Sequence, residues 1–161
     1  MIDLSKYTDS ELIENYGLLL KEMRTRGLIR TKNVVGELGE FIVVDYYNRQ
    51  PHLPNLTLEP TSTKDYDAVS DMGERYSVKC VTSNVTGVFH GIGEHALKED
   101  TVPLFDYAVL VQLDENFRPK LILELTWDVF FDFKRWHKTM QVHCLTIGKQ
   151  LINSARIIYQ K

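Results

Sequence analysis

The alternation of apolar and polar residues predicts two helices at the start of the chain. Thr8-Asp9-Ser10-Glu11 fits a capping box that opens a helix over about residues 8–27, in which apolar residues recur at helical spacing. A second helix is expected over about residues 33–48, with Val34, Leu38 and Phe41 on one face. The first helix, with its apolar stripe, is a candidate dimerisation element.

The rest of the chain reads mainly as strands. They are expected at residues 66–70, 74–82, 106–113, 120–125 and 141–147, with a helix at 127–138 capped by Thr126 and a further candidate helix at the end. The order predicts an α/β fold of the α+β kind, a central mixed β-sheet flanked by helices. We expect one domain over residues 1–161, because that length is common for a single domain.

Composition is that of an ordinary globular protein. Hydrophobic residues make up 43%, enough for one core, and Cys80 and Cys144 are expected to be buried, reduced thiols. Without a predicted signal peptide or membrane span, we expect a cytoplasmic protein. The net charge of -3 argues mildly against a nucleic-acid partner. Basic groups at 21–32 and 134–138 are either solvated helix faces or DNA contacts.

Candidate chemistry lies in the first predicted hairpin. Side chains alternate along a strand, so Ser77 and Lys79 share a face, and Asp67 on the other strand can lie close to either of them. A buried lysine needs an anionic partner, which Asp67 can supply. An ordinary cross-strand ion pair on an exposed sheet face explains the same spacing.

Glu37 adds a second carboxylate, because it faces inward on the second predicted helix. Gly36 and Gly39 flank it, and glycine costs about 1 kcal/mol in a helix interior, which suggests that another backbone or a ligand comes close. The structural alternative is that Glu37 pairs with Lys79 or Arg75. Glu40 is expected to point more to the side.

This hairpin resembles the PD-(D/E)XK nuclease motif in its Tyr66-Asp67-Ala68-Val69 and Tyr76-Ser77-Val78-Lys79 strands and in the short turn between them. The superfamily includes many type II restriction endonucleases, and the likeness is closest to the small dimeric enzymes that cut to blunt ends. It covers roughly residues 33–138. The resemblance implies a restriction-endonuclease-like core and Mg²⁺-dependent hydrolysis of phosphodiester bonds in DNA.

The resemblance also implies roles for individual residues. Asp67 matches the metal-binding aspartate, Lys79 the lysine that orients or activates the attacking water, and Glu37 the helix glutamate of many members. Ser77 departs from the motif, which has Asp or Glu there, and a hydroxyl is a poor ligand for Mg²⁺. Glu94 or Glu37 is the candidate to supply the missing carboxylate.

Further implications concern DNA contacts and partners. His90 and His95, in the segment that follows the hairpin, could donate to guanine N7 or O6, and Asn84 is a third candidate DNA contact. Both histidines are equally well explained as surface or loop residues. The resemblance implies double-stranded DNA as substrate, a homodimer for a palindromic site, and a cognate DNA methyltransferase.

Two other functions remain open from the sequence. A repair or junction nuclease of the same fold would share the motif. If neither glutamate reaches the metal, the protein could be a catalytically inactive DNA-binding module. A zinc site is poorly supported, because the chain has no Cys-x-x-Cys or His-x-x-x-His spacing.

Overall fold

The computed structural model describes residues 3–161, and its centre is a six-stranded sheet with the strand order β1-β2-β3-β4-β5-β8. Strands β3 and β4 run parallel, while the other neighbouring pairs in this sheet are antiparallel. A second, two-stranded sheet pairs β6 with β7. The strands are β1 (Leu56–Leu58), β2 (Ala68–Ser70), β3 (Arg75–Val81), β4 (Tyr107–Leu113), β5 (Pro119–Thr126), β6 (Arg135–His137), β7 (Val142–Cys144) and β8 (Arg156–Gln160).

Helices cover both faces of the large sheet, which confirms the predicted α+β fold with a mixed sheet. They are α1 (Asp9–Thr25), α2 (Val34–Arg49), α3 (Trp127–Phe133) and α4 (Lys149–Ser154). Val109 of β4 packs in a buried cluster with Val43 of α2, whereas its neighbour Leu110 packs in another with residues of α3 and α4. Because successive strand residues face opposite sides, the two clusters lie on opposite faces of the sheet.

The first two helices begin where the sequence predicts. Thr8 and Glu11 form the reciprocal capping box of α1, and the Asn33 side chain accepts a hydrogen bond from the Gly36 N–H at the start of α2. Helix α2 lies against β3 at Gly39, where a Cβ would fall 2.2 Å from the Cβ of Cys80. The expectation that glycine near Glu37 allows a close backbone approach is therefore confirmed for Gly39.

The C-terminal part differs from the prediction. The helix expected at 127–138 ends at Phe133, because Lys134 has a non-helical backbone (φ -59°, ψ 141°) and Trp136 then packs edge-on against His143 of β7, with ring centres 4.9 Å apart. The strand expected at 141–147 is shorter, and the candidate terminal helix is only α4, followed by β8 on the edge of the sheet. Strand β1 was not predicted. Of these elements, β8 depends on a partner distant in the sequence, because it pairs with β5.

Helix α1 stands apart from the two clusters, and none of its residues is buried within the described chain. Its large apolar side chains are exposed instead, among them Leu12, Ile13, Tyr16, Leu18 and Leu19. An apolar groove of about 600 Å³ runs along this face. Among residues 3–161, no helix combines the length and apolar character needed to span a bilayer.

Candidate active site

The β2–β3 hairpin brings Asp67 and Lys79 together. Asp67 lies one residue before β2, and its N–H donates to the Tyr76 carbonyl oxygen at 2.8 Å. Its Oδ2 accepts the Val78 N–H at 2.6 Å and lies 3.7 Å from Lys79 Nζ. The backbone of β3 thus fixes the orientation of the carboxylate, as a hydrogen bond to a charged acceptor does.

Ser77 and Lys79 lie on the side of β3 that faces away from α2, in a small cleft of about 90 Å³. We call it the lysine cleft; it is lined by Asp65, Asp67, Ser77, Lys79, Val88, Phe89, His90, Leu104 and Phe105. Lys79 Nζ also lies 5.2 Å from the centre of the Phe89 ring, within reach of a cation–π interaction. The ammonium group is therefore held by one carboxylate and one aromatic ring at the mouth of a cavity.

Two carboxylates of α2 are held by Arg30. Glu37 is only 5% exposed, and its Oε2 accepts the Arg30 backbone N–H at 2.5 Å and lies 3.3 Å from Arg30 Nε. Arg30 Nη2 donates to Glu40 Oε2 at 2.6 Å, and Nη1 donates to the Glu59 carbonyl oxygen at 2.7 Å. One guanidinium thus fixes both glutamates against the loop after β1.

The structure excludes the alternative that Glu37 pairs with Lys79 or Arg75. Its basic partner is Arg30, whereas Lys79 pairs with Asp67 and Arg75 pairs with Asp106 at 3.0 Å. The two pairings on β3 are therefore separate from the glutamates of α2.

Asp67 connects the two groups, because it also lines a second cleft of about 190 Å³. This carboxylate cleft includes Arg30, Glu37 and Glu40. The pKa of Glu40 is raised, first by burial and then by the negative charge of Asp67, while Arg30 acts in the opposite direction. The pKa of Glu40 therefore reflects its burial and the repulsion between it and its neighbouring carboxylates, and a cation in the cleft would reduce that repulsion.

The donor chemistry of the carboxylate cleft fits Mg²⁺, which takes oxygen ligands and is commonly held by one or two carboxylates together with substrate phosphate and water. Among residues 3–161, no three His, Cys, Asp or Glu side chains converge as a metal-binding group. Asp67, Glu37 and Glu94 are therefore not brought together as a preformed set of ligands.

The other candidate residues lie outside the carboxylate cleft. His90 is exposed and lines the lysine cleft. The Glu94 carboxylate lies 4.0 Å from Nε2 of His95, whose side chain is 92% exposed. Asn84 has a structural contact, because its Oδ1 accepts a hydrogen bond from Gln112 Nε2 at 2.8 Å.

Sequence reasoning missed Arg30, Asp65 and the inward position of Glu40. Glu40 lies three residues after Glu37, a spacing that places two side chains on one helix face, so this signal was present. Asp65 has a positive φ of 74°, which is uncommon for a residue other than glycine and is found preferentially at functional sites. Nothing in the sequence around Arg30, apart from its positive charge, indicates that it would bind the two glutamates of α2.

Comparisons with known proteins do not assign the chain to a family. No family model matches it, and no curated protein matches it either. Its chemistry has therefore to be inferred from Asp67, Lys79 and the two glutamates of α2.

Proposed function

We propose that this protein is a Mg²⁺-dependent DNA endonuclease, of the type II restriction kind. One observation carries the proposal: the Asp67 carboxylate is shared by two clefts, with Lys79 3.7 Å away on one side and Glu37 and Glu40 lining the other. Acids and a lysine around a small polar opening are the groups that hydrolysis of an anionic phosphodiester requires.

Each side chain has a part in this proposal. Asp67 and one or both glutamates of α2 would hold Mg²⁺, which offsets the charge of the phosphodiester and lowers the pKa of a bound water. Lys79 would orient the attacking water and stabilise the negative charge that develops on the phosphate. Arg30 would hold the glutamates in place, and the Val78 N–H would keep Asp67 aimed at the opening.

A homodimer belongs to the same proposal, because a palindromic site calls for two subunits related by a two-fold axis. The exposed apolar face of α1 is the candidate contact. Its N-terminal half carries Asp9, Glu11 and Glu14, whereas Lys21 and Arg24 lie near the other end, where Arg26 already pairs with Glu22 at 2.7 Å. Two copies packed antiparallel would therefore place opposite charges side by side.

Incubation of the purified protein with plasmid DNA and Mg²⁺ tests the proposal, and discrete fragments are expected. Lys79→Ala and Asp67→Ala should abolish cleavage, and Asp67→Ala should also weaken metal binding. Lys98 and Asp132 form an ion pair at 2.8 Å outside both clefts, so Lys98→Ala and Asp132→Ala are matched controls. Native-rate cleavage by either cleft variant, with far-UV circular dichroism unchanged, would exclude the assigned roles.

A catalytically inactive DNA-binding module is the second candidate. Two observations favour it. Ser77 stands where the resembled motif has an acid, and Arg30 forms hydrogen bonds with both glutamates of α2, which are the proposed metal ligands. Calorimetry with Mg²⁺ or Mn²⁺ in the presence of DNA distinguishes the two functions, because an inactive module would bind DNA without taking up metal. Cleavage confined to branched or single-stranded DNA would instead favour a repair or junction nuclease.

A further inference from the structure

Basic residues are concentrated at the C-terminal end of the chain. Residues 133–161 contain six Lys or Arg and no Asp or Glu, whereas residues 1–132 contain the other 13 basic residues and all 22 acids. The net charge of -3 is therefore the sum of a strongly acidic segment, residues 1–132, and a strongly basic segment, residues 133–161. Such segregation matters for binding, because a local charged surface attracts a partner that the net charge would repel.

Some of these cations already have partners in the fold. Arg156 Nη1 lies 3.1 Å from Glu124 Oε1, and Lys161 Nζ lies 3.8 Å from Asp114 Oδ2. The side chains of Arg135, Lys138 and Lys149 are exposed, and among residues 3–161 they form no ion pair. Their charge is available to an external anion.

We call these three residues the basic surface, because Arg135 and Lys149 line one cleft and Lys138 follows Arg135 in the same β6–β7 hairpin. Arg135 is on β6, Lys138 is in the turn between β6 and β7, and Lys149 begins α4. Arg135 and Lys149 line the same cleft of about 240 Å³, and its described lining contains no carboxylate. An anion at this place would meet cations without an opposing negative charge.

The basic surface is joined to the lysine cleft through β7. On one side β7 pairs with β6, and on the other the Phe89 N–H donates to the His143 carbonyl oxygen at 2.8 Å. Phe89 and His90 line the lysine cleft. Neighbouring strands lie about 4.8 Å apart, so β6 is roughly 10 Å from the segment at Phe89. Phosphates along one DNA strand are spaced about 3.4 Å along the axis, so that distance spans about three phosphates.

We propose that the basic surface binds the phosphate backbone of duplex DNA beside the cleft that holds Lys79. DNA as the partner rests on the proposed function, but the binding itself requires neither metal nor cleavage. Contacts of this type position a protein on DNA and carry no sequence information. The basic surface would therefore set which face of an otherwise acidic protein approaches DNA.

The test is fluorescence anisotropy of a labelled duplex of arbitrary sequence, titrated in EDTA at several salt concentrations. Each phosphate contact contributes about 0.9 to the slope of log affinity against log salt. Arg135→Gln combined with Lys149→Gln, the two cations that line one cleft, should reduce the magnitude of the slope by about 2 and weaken binding at low salt. Arg118→Gln combined with Lys120→Gln, an exposed basic pair at the start of β5, is the matched control and should leave both the slope and the affinity unchanged.

Equal effects of the two double variants, or no effect of the first, would overturn the proposal. So would failure of the unmodified protein to bind the duplex, or binding to phosphatidylserine vesicles in place of DNA. Circular dichroism of every variant excludes misfolding as the cause. If the protein did not cleave DNA with Mg²⁺ but the double variant still reduced the salt dependence of binding, the proposed nuclease activity would be refuted. The proposal that the basic surface binds DNA would remain supported.

Discussion

Replacement of Gly39 by alanine is expected to destabilise the contact between α2 and β3. The added Cβ would lie 2.2 Å from Cys80 Cβ and 3.3 Å from Cys80 Cα. Neither atom moves when the Cys80 side chain rotates, so the backbone of the helix or the strand has to shift. Because α2 carries Glu37 and Glu40 and β3 carries Lys79, the same shift would alter the spacing of the candidate site.

The size of the effect follows from two opposing contributions. Insertion of extra atoms into a packed interior typically costs about 1–3 kcal/mol, while alanine gains about 1 kcal/mol over glycine as a helix former. The close approach to fixed atoms places the steric cost in the upper part of its range. We therefore expect a net loss of about 1–2 kcal/mol in the free energy of unfolding, or about 2–8 °C in Tm.

Urea denaturation and thermal unfolding, both followed by far-UV circular dichroism, measure the change. Gly17→Ala is the matched control, because Gly17 is also inside a helix and, apart from its chain neighbours and the backbone of its own helix, no described atom lies within 4 Å of the position of its Cβ. That variant should be neutral or more stable by up to about 1 kcal/mol. If Gly39→Ala were as stable as Gly17→Ala, the close packing of α2 on β3 would be disproved.

Four further outcomes are expected. Asp67→Asn should lower the pKa of Glu40, since the charge of Asp67 is second only to burial in raising it. Carbon-13 NMR of the Glu40 carboxyl group measures that pKa, and an unchanged value would exclude electrostatic coupling between the two carboxylates. The folded state binds the Glu40 proton more tightly than the unfolded chain does, so this group stabilises the fold below pH 4.5 and loses that contribution as pH rises through its folded pKa. In denaturation experiments at several pH values, the free energy of unfolding of Glu40→Gln should therefore fall less steeply above pH 4.5 than that of the unmodified protein. Burial raises the pKa of the Cys80 thiol to about 12, so alkylation at pH 8 should be slow in the native protein and fast in urea; equal rates would contradict this. Leu12→Lys combined with Leu19→Lys should dissociate the proposed homodimer in analytical ultracentrifugation without loss of secondary structure, because neither side chain is buried. A dimer that persists in this variant, or an unmodified protein that is already monomeric, would exclude α1 as the contact.

Local signals predicted much of the fold and part of the site. The capping box of α1 and the Asn33 cap of α2 depend on residues within four positions of one another. The proximity of Asp67 and Lys79 likewise follows from strand alternation on either side of a short turn. Such features need no distant partner, which is why the sequence was sufficient for them.

Other elements could not be predicted because pairing and side-chain packing determine them against the local pattern. Residues 135–137 continue a helical pattern, yet they form β6, since pairing with β7 and the contact of Trp136 with His143 outweigh local helix propensity. Strand β8 is similar, because its register depends on β5, more than 30 residues earlier in the chain.

Within the site, the amino-acid sequence alone determined the acid and the lysine of the hairpin, because two strands and a turn fix their separation. Only the tertiary structure decided which carboxylates join them and which cation holds those carboxylates. That outcome depends on where α2 packs against β3 and on the path of the segment before α2, which places Arg30 between Glu37 and Glu40. Packing of a helix on a sheet is set by contacts summed over many residues, and no short stretch of the chain encodes it.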